Sequence, residues 1–396
     1  MDREQLLRRV GAIAEEIRPQ LIDLSLQIHA NPELAFKEFE AAKLLTGYLA
    51  GEGFQVKRGV AGMETAFVAE YSGGDGPTVA FVAEYDALPD VGHGCGHNII
   101  GASAAGAAVL LKRAWPELPG RLLVMGTPAE EGGGGKIIMV EAGLFDDVDA
   151  ALLMHPGSGE NKIGGSSLAT SDLLINFRGR PAHSAGSPHR GINALDAVVA
   201  TYVNVSMLRQ HVTPDVRMHC LITKGGSVIN IVPEEAEIQY LLRAAVREGV
   251  DEVIRRVREC AEGAARATGA TVSFVETKGY DERWPNKALG DLFSAHLEAA
   301  GVDMEPEPSP SGGSTDFGNV SKKVPAANAY LGIAPKGVAG HSPEFATHAI
   351  SAKGHQALMD GAVAMAGTAY DLVTEPSHLR RAWDEFEKRA AEHEPE

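Results

Sequence analysis

The chain has 396 residues, of which 44% are hydrophobic, and a formal net charge of −17. This length allows two domains and a large core, and the hydrophobic fraction is typical of a globular protein. The acidic balance argues against a nucleic-acid partner, which would require a basic surface. No apolar run reaches the roughly 18 residues of a spanning helix, so the sequence predicts no membrane partner.

The cysteine pattern indicates the compartment. Cys95, Cys220 and Cys260 make no disulfide framework, and an odd count fits free thiols. The chain starts with charged residues and shows no secretory signal pattern. We therefore expect a reducing compartment, the cytoplasm.

The first half of the chain alternates predicted helices and strands. Helical spacing covers the first thirty residues, and Pro19 is expected to kink or split that helix. Further helices are predicted at 38–49, 99–115 and 136–142, and strands at 65–71, 78–85, 121–126 and 150–154. The predicted strand at 78–85 is nearly all apolar, which is typical of a strand buried on both faces of a sheet.

The pattern changes near residue 171. Strands are predicted at 173–178, 216–223 and 235–243, with helices at 193–210 and 250–268. The β-α-β-β-α-β order predicts an α+β unit of about 115 residues that is inserted into the first domain. We therefore expect residues 1–170 and 285–396 to form one domain and residues 171–284 the other. The charged tail from about Ala382 is expected to fray.

The most informative segment is His-Gly-Cys-Gly-His-Asn at 93–98, followed by Pro-Ala-Glu-Glu at 128–131. The glycines let the backbone bend so that Cys95 and His97 point at one ion. Thiolate, imidazole and carboxylate ligands suit zinc or a related divalent metal. Of two adjacent glutamates, one can bind the metal while the other moves a proton, as metal-assisted hydrolysis requires.

Four polar positions are predicted at or just after the ends of strands: Asp86, the Cys95–His97 turn, the Glu130–Glu131 pair and His155. Open α/β sheets bind ligands at these carboxyl ends, so we expect the side chains to meet. Each position also has a plain structural alternative. Cys95 could be a small buried hydrophobic residue, and His155 could be a core histidine. The two glutamates could be acidic residues at the start of a helix, where they suit the helix dipole.

Further motifs extend this pattern along the chain. They are His-Ala-Asn-Pro-Glu-Leu (29–34), Glu-Tyr-Asp-Ala-Leu-Pro (84–89), Thr-Pro-Ala-Glu-Glu-Gly-Gly-Gly-Gly-Lys (127–136), Phe-Asp-Asp-Val-Asp-Ala (145–150), Arg-Pro-Ala-His-Ser-Ala (180–185), Gly-Gly-Ser-Val-Ile-Asn-Ile-Val-Pro (225–233), Ser-Thr-Asp-Phe-Gly-Asn-Val-Ser (314–321) and His-Ser-Pro-Glu-Phe (341–345). With these motifs the chain resembles the M20 metallopeptidase and amidohydrolase family along nearly its whole length. Within it, the likeness is to the aminoacylase-1-like-2 (PM20 domain-containing 2) and p-aminobenzoyl-glutamate hydrolase branch.

The resemblance implies a catalytic α/β domain with a mixed sheet of the zinc-exopeptidase type. It also implies an inserted ferredoxin-like α+β domain that acts as a lid and dimerises. The cofactor it implies is a divalent metal, one or two ions of zinc or manganese, with cobalt as a further candidate. The implied metal ligands are Cys95, His97, Glu131, His155 and His341.

The resemblance also implies roles for other residues. Glu130 would be the general base, and Asp86 would orient a metal ligand. In the lid, His183 matches a histidine that reaches an active site, often across the dimer, where it could stabilise an oxyanion. Asn230 and Arg243 match positions that hold the substrate carboxylate, to which a planar guanidinium is suited.

Three features stand apart from the family pattern or from other motifs. The wider family often has His-x-Asp where this chain has Glu84-Tyr85-Asp86, so one histidine ligand of the family is missing. The resemblance therefore does not decide whether the site binds one metal ion or two. Asp316, in a Gly/Ser loop, is either a helix cap or a site residue. The glycine run before Lys136 is no phosphate loop, because Glu130 and Ile137 replace the required Gly and Ser or Thr.

The sequence therefore predicts a metal-dependent amidohydrolase that cleaves N-acyl amino acids or dipeptides with a free carboxylate. Its partners would be this small-molecule substrate and a second copy of the chain, in a homodimer or a higher homo-oligomer. The alternatives are a p-aminobenzoyl-glutamate-type hydrolase, a catalytically idle relative that only binds, and a structural zinc protein with four closed ligands.

Overall fold

A computed structural model of the chain describes residues 3–277, 279–306 and 312–393. These residues form two compact units. The first unit covers the described residues of Met1–Ser166, Arg283–Ser311 and Asp316–Glu396, and the second covers those of Ser167–Glu282 and Gly312–Thr315. Within the described ranges, no helix is both long enough and apolar enough to cross a lipid bilayer.

Helices and strands alternate along most of the chain. The helices are α1 (Arg3–Ala30), α2 (Phe39–Gly51), α3 (His97–Ala114), α4 (Gly135–Glu141), α5 (Ala194–Leu208), α6 (Arg247–Thr268), α7 (Lys287–Ala299), α8 (Phe317–Ser321), α9 (Pro343–His348), α10 (Ala352–Thr374) and α11 (Pro376–Glu392). The strands are β1 (Gln55–Arg58), β2 (Phe67–Ser72), β3 (Thr78–Ala83), β4 (Arg121–Gly126), β5 (Ala150–Ser158), β6 (Lys162–Ile163), β7 (Ala169–Arg178), β8 (Arg217–Lys224), β9 (Glu235–Ala244), β10 (Thr271–Thr277) and β11 (Ala326–Ala334).

The first unit is built on a seven-stranded mixed sheet with the order β1-β2-β4-β3-β5-β11-β6. The central strands β4, β3, β5 and β11 run parallel, while β2 and β6 are antiparallel to their neighbours. All six residues of β3 are buried. Val79 and Phe81 pack into one hydrophobic cluster and Ala80 and Val82 into another, so this strand contributes to cores on both faces of the sheet.

The second unit contains a four-stranded antiparallel sheet with the order β10-β7-β9-β8. Helices α5 and α6 pack against each other and against β7 and β9. Helix α6 buries Val250, Val253, Val257 and Ala261, whose spacing of three and four residues forms one apolar stripe. The element order is β-α-β-β-α-β, the arrangement of a ferredoxin-like unit.

The predicted fold class, a mixed α/β domain with an α+β unit, is confirmed, but three local predictions are wrong. Of the kink or split expected at Pro19, the split does not occur: α1 runs unbroken from Arg3 to Ala30, with Pro19 exposed while the opposite face of the helix packs on α3 and α10. Strand β5 does not end at His155, since its parallel pairing with β11 continues to Ser158. The tail is helical, because Asn286 Nδ2 donates to the Ala382 carbonyl at 2.7 Å and Phe386 packs against Trp284.

Candidate metal centre

The centre forms where the parallel strands β3 and β4 end. Ala83 and Gly126 are paired in the sheet, and the Thr127 N–H donates to the Ala83 carbonyl at 2.8 Å. The two chain segments that leave these strands therefore start side by side. Asp86 lies on one of them and the Glu130–Glu131 pair on the other.

The Gly-Cys-Gly turn has no room for larger residues. Gly96 has φ of 78°, and a Cβ there would lie 2.5 Å from Pro156 Cγ. A Cβ at Gly94 would lie 2.5 Å from Val91 Cγ1. Because both neighbours of Cys95 are glycine, the turn closes tightly and helix α3 begins at His97.

The five predicted metal ligands lie in one cluster within the first unit. Cys95 Sγ is 3.6 Å from His155 Nε2, and His341 Nε2 is 3.2 Å from Glu131 Oε1. His97 Nε2 is 3.9 Å from the same Glu131 oxygen. The candidate ligand atoms of Cys95, His97 and His155 lie within 4.8 Å of one another, and so do those of Cys95, Glu131 and His341. Cys95 thus belongs to both groups.

Two imidazoles in the cluster are oriented by hydrogen bonds from their Nδ1 atoms. His97 Nδ1 donates to Asp86 Oδ1 at 2.9 Å, and His155 Nδ1 donates to the Pro156 carbonyl at 2.6 Å. Both rings therefore turn their Nε2 atoms toward the cluster, where a neutral ring presents a lone pair to a metal ion. Asp86 also accepts the Glu131 N–H on Oδ2 at 2.9 Å, so one buried carboxylate positions two candidate ligands.

His341 reaches the cluster from the loop before α9. Its backbone has φ of 60°, in the left-handed region, and its N–H donates to the Gly94 carbonyl at 2.9 Å. This bond fixes the His341 segment to the Cys95 turn. A non-glycine residue in this conformation is uncommon and is found mainly where the surrounding structure requires it.

The residues fit a divalent metal ion. Among the described residues, no hydrogen-bond partner meets the buried His97 Nε2, and such a buried polar atom is costly unless something satisfies it. Burial raises the pKa of the Cys95 thiol, and burial lowers the pKa of His155 to about 4. A neutral imidazole can bind a metal directly, whereas the thiol requires a nearby cation to ionise.

Glu130 lies beside the ligand cluster. Its Oε2 is 4.0 Å from His97 Nε2. Burial, reinforced by the carboxylates of Glu84 and Asp316, raises the pKa of Glu130 well above its usual range. A carboxylate beside the candidate ligands that can take up a proton and release it again meets the requirement for a general base.

The three predicted lid residues lie in the second unit. The loop segments of His183 and Asn230 are adjacent. The Ser184 N–H donates to the Asn230 carbonyl at 3.0 Å, and the backbones of His183 and Ile231 form an isolated antiparallel β-bridge. Arg243 lies on β9, where its Nη1 donates to Ser314 Oγ at 3.2 Å.

Glu84, Lys136 and Asp316 also lie in the site. The sequence assigned no function to Glu84 or Lys136, and it left Asp316 as either a helix cap or a site residue. Asp316 makes no side-chain hydrogen bond that caps α8; its two oxygens accept from the backbone N–H and the Nζ of Lys136 instead. Glu84 stands two residues before Asp86, at the position where the wider family often has a histidine, and this motif is the sequence signal for its place in the site. The contact of Lys136 with Asp316 joins positions 180 residues apart, which the sequence pattern does not connect.

Known proteins match both the sequence and the fold. The family described as Peptidase family M20/M25/M40 matches residues 80–365. A Xaa-Arg dipeptidase of Mus musculus is 36% identical over 98% of this chain and 94% of its own length. A p-aminobenzoyl-glutamate hydrolase chain of Escherichia coli (strain K12) is 36% identical over 76% of this chain and 66% of its own length.

Two solved structures share the fold at lower identity. The aminobenzoyl-glutamate utilization protein from Klebsiella pneumoniae has a TM-score of 0.74 at 22% identity, covering 92% of this chain and 98% of that protein. A dinuclear metal-binding peptidase of the M20 family from Bacillus subtilis has a TM-score of 0.70 at 24% identity, covering 91% and 99%.

Proposed function

The chain belongs to peptidase family M20/M25/M40 and is a hydrolase, and on this premise we propose that it is a metal-dependent amidohydrolase. Its substrates are N-acyl amino acids or dipeptides with a free carboxylate. The observation that carries the proposal is the clustering of the buried His97 with the half-buried Cys95, Glu131 and His155, next to the additional buried carboxylate of Glu130. The matches to known proteins confirm the family and the enzyme class that the motifs predicted.

The metal would be held by Cys95, His97, Glu131, His155 and His341, as one or two ions. One thiolate, three imidazoles and one carboxylate are typical zinc ligands, and manganese or cobalt fits the imidazoles and the carboxylate. When bound, the metal supplies Lewis acidity toward the amide carbonyl and lowers the pKa of water. A structural zinc site, by contrast, has four closed ligands and no additional base beside them.

Glu130 is the proposed general base. Its carboxylate takes a proton from the attacking water, and the same group then delivers a proton to the leaving amine nitrogen. Asp86 holds His97 and Glu131 in place through its two oxygens during this exchange. An idle relative that only binds would have no need of Glu130, and loss of turnover in the Glu130→Gln variant would distinguish the two functions.

The substrate proposal rests on the second unit and on the names of the relatives. A dipeptidase, a p-aminobenzoyl-glutamate hydrolase and an N-acetylcysteine deacetylase each act on an amide whose amine part is an amino acid. We propose that Arg243 and Asn230 bind the carboxylate of that amino acid and that His183 stabilises the oxyanion. The p-aminobenzoyl-glutamate activity is the alternative within the same reaction class.

A substrate panel tests this proposal. The panel contains dipeptides ending in arginine, N-acyl amino acids and p-aminobenzoyl-glutamate, each with its carboxamide analogue, assayed with zinc, manganese or cobalt. We expect the free acids to exceed the amides by about 100-fold or more in kcat/KM, equivalent to about 2.7 kcal/mol. Equal hydrolysis of the free acids and their carboxamide analogues would exclude binding of the substrate carboxylate by Arg243 and Asn230.

Variants of two arginines on neighbouring strands test whether Arg243 binds the substrate carboxylate. Arg243→Ala should abolish most of the preference for the free acid, and Arg243→Lys should restore little of it, because the planar fork is lost. Arg217 is the matched control, since it pairs with Arg243 across β8 and β9 but is exposed and bonds to the Pro214 carbonyl. Arg217→Ala should keep the preference. An unchanged preference in Arg243→Ala would instead make Arg243 a structural residue.

We propose that the second unit forms a homodimer. Helix α5 exposes Val199, Tyr202, Val203 and Met207, and the edge strand β8 exposes Leu221 and Ile222. An apolar face beside an unpaired strand edge favours association. Light scattering should give a dimer for the wild type and a monomer for Tyr202→Glu/Met207→Glu. Arg266→Glu, on the exposed face of α6, should stay dimeric.

Mixing of two inactive variants tests the role of His183. If His183 serves the active site of the partner, heterodimers of His183→Ala and Glu130→Gln chains contain one intact site and regain activity. If heterodimers are demonstrated but activity does not recover, His183 acts in the active site of its own chain or has no catalytic role. The three cysteines are free thiols, which suits the cytoplasm as the proposed compartment.

A further inference from the structure

A second group of acidic side chains lies next to the candidate metal centre. Carboxylate oxygens of Glu84, Glu130 and Asp316 lie within 4.8 Å of one another, and all three residues are buried. Glu84 Oε2 is also 3.6 Å from His97 Nε2. By composition alone, this acidic cluster could hold a divalent ion, and Glu84 could be one of its ligands.

The cluster already contains a cation, the ammonium group of Lys136. Lys136 is fully buried, and its Nζ lies 2.8 Å from Glu84 Oε1 and 2.5 Å from Asp316 Oδ1. Its backbone N–H also donates to Asp316 Oδ2 at 3.0 Å. One lysine therefore contacts Asp316 through both backbone and side chain and joins it to Glu84.

The glycine run before Lys136 explains how this ammonium enters the site. Gly134 has φ of 67°, and a Cβ on Gly135 would lie 2.0 Å from the Pro128 carbonyl oxygen. Only glycines allow α4 to begin so close to the segment that leaves β4. Lys136, the second residue of α4, is thereby brought to the strand end where Glu84 and Glu130 lie.

The positive charge of the Lys136 ammonium group offsets the repulsion among the three carboxylates. Three carboxylates in a buried space repel one another unless a positive charge lies between them. A buried charge is tolerated only with a partner, and removing one partner of a buried ion pair is strongly destabilising. The Nζ occupies the position from which a metal ion would contact the same Glu84 and Asp316 oxygens, so ammonium and metal exclude each other.

We propose that Lys136 is the resident cation of the Glu84–Glu130–Asp316 cluster and holds Glu84 and Asp316 in place beside Glu130. Lys136 is thus a positioning residue, and Glu84 is not a metal ligand. The inference rests on the proposed function, because it confines the catalytic metal to the ligand set that contains Cys95.

The first test is the metal content of reconstituted protein. Wild type, Glu84→Gln and Cys95→Ser are loaded with Zn²⁺ or Mn²⁺, dialysed, and measured for ions per chain. We expect Glu84→Gln to keep the wild-type number and Cys95→Ser to hold less. Loss of an ion in Glu84→Gln would overturn the inference. A wild type that binds no metal would instead contradict the proposed function.

The second test is a thermal double-mutant cycle in the presence of a chelator, so that it does not depend on metal. Lys136→Met should lower Tm by at least about 5 °C, because the carboxylates lose their counter-charge. Adding Asp316→Asn to Lys136→Met should raise Tm again, and Lys136→Arg should lie closer to the wild type. Additive losses, or a wild-type Tm for Lys136→Met, would overturn the inference.

Discussion

The Glu38 carboxylate accepts a hydrogen bond from the Ala129 backbone N–H at 3.0 Å, 91 residues along the chain. The same oxygen accepts the Phe36 N–H at 2.9 Å, and the other oxygen accepts Thr65 Oγ1 at 2.8 Å. Phe36 and Ala129 both have φ near 60°, which is unusual for residues other than glycine. Glu38 therefore holds the strained turn that presents Glu130 and Glu131.

We expect Glu38→Gln to lower kcat by about 10-fold or more while leaving the metal content near that of the wild type. A neutral amide oxygen accepts the Phe36 and Ala129 N–H groups more weakly than a carboxylate oxygen does, and the amide nitrogen cannot accept from the Thr65 hydroxyl, so the turn before Glu130 loosens. Glu33→Gln is the matched control, because the Glu33 carboxylate also accepts backbone N–H groups, at the start of α2. A Glu38→Gln enzyme with wild-type kcat would show that the turn holds without it.

Glu130→Gln should bind metal like the wild type but lose at least about 100-fold in kcat, because the amide cannot carry the proton. Ions per chain and steady-state kinetics measure the two effects separately. Glu64→Gln, at an exposed position, controls for the loss of one glutamate charge. Near-normal turnover in Glu130→Gln would transfer the role of base to another residue.

Cys95→Ser should weaken metal binding by about 10-fold or more, because the thiolate shared by the two ligand groups is lost. Titration with a metal-sensitive chelator measures this change. Cys260→Ser removes a thiol that packs against the core of the second unit and should leave the affinity unchanged. Equal affinities for Cys95→Ser and the wild type would make Cys95 a packing residue.

Asp371 joins α10 to α1 and α7, accepting from Arg3 Nε at 3.0 Å and His296 Nε2 at 2.8 Å. Burial opposes ionisation, but these two partners outweigh it and lower the pKa of Asp371. A carboxylate whose pKa is lowered on folding stabilises the protein above its unfolded pKa of about 3.9. This stabilisation is lost as the pH falls through the folded pKa.

Asp371→Asn should therefore reduce the free energy of unfolding by about 2 kcal/mol at pH 7. The difference from the wild type should begin to shrink below the unfolded pKa of about 3.9 and should keep shrinking as the pH falls through the lowered pKa of folded Asp371, where this side chain also becomes neutral. Denaturant unfolding across this pH range measures it. Asp291→Asn, which removes an exposed pair with Lys287, should change stability by less than about 0.5 kcal/mol. A difference from the wild type that stays constant with pH would contradict the electrostatic account.

The sequence by itself determined the strand and helix periods, the α/β and α+β classes, and the Gly-Cys-Gly turn, because each depends on neighbouring residues. It also indicated that Asp86, His97 and Glu130 would meet, since the carboxyl ends of parallel strands share one edge of the sheet. The resemblance to known motifs supplied His341, which no local spacing connects with Cys95.

Tertiary structure alone decided which distant groups became partners. The continuation of β5 past His155 depends on pairing with β11, and the helical tail depends on packing against Trp284 and Asn286. The contacts of Lys136 with Asp316 and of Glu38 with Ala129 have no periodic signal. Buried charges and backbone donors take whichever partner the packed chain brings within hydrogen-bond distance, and that choice follows only from the assembled fold.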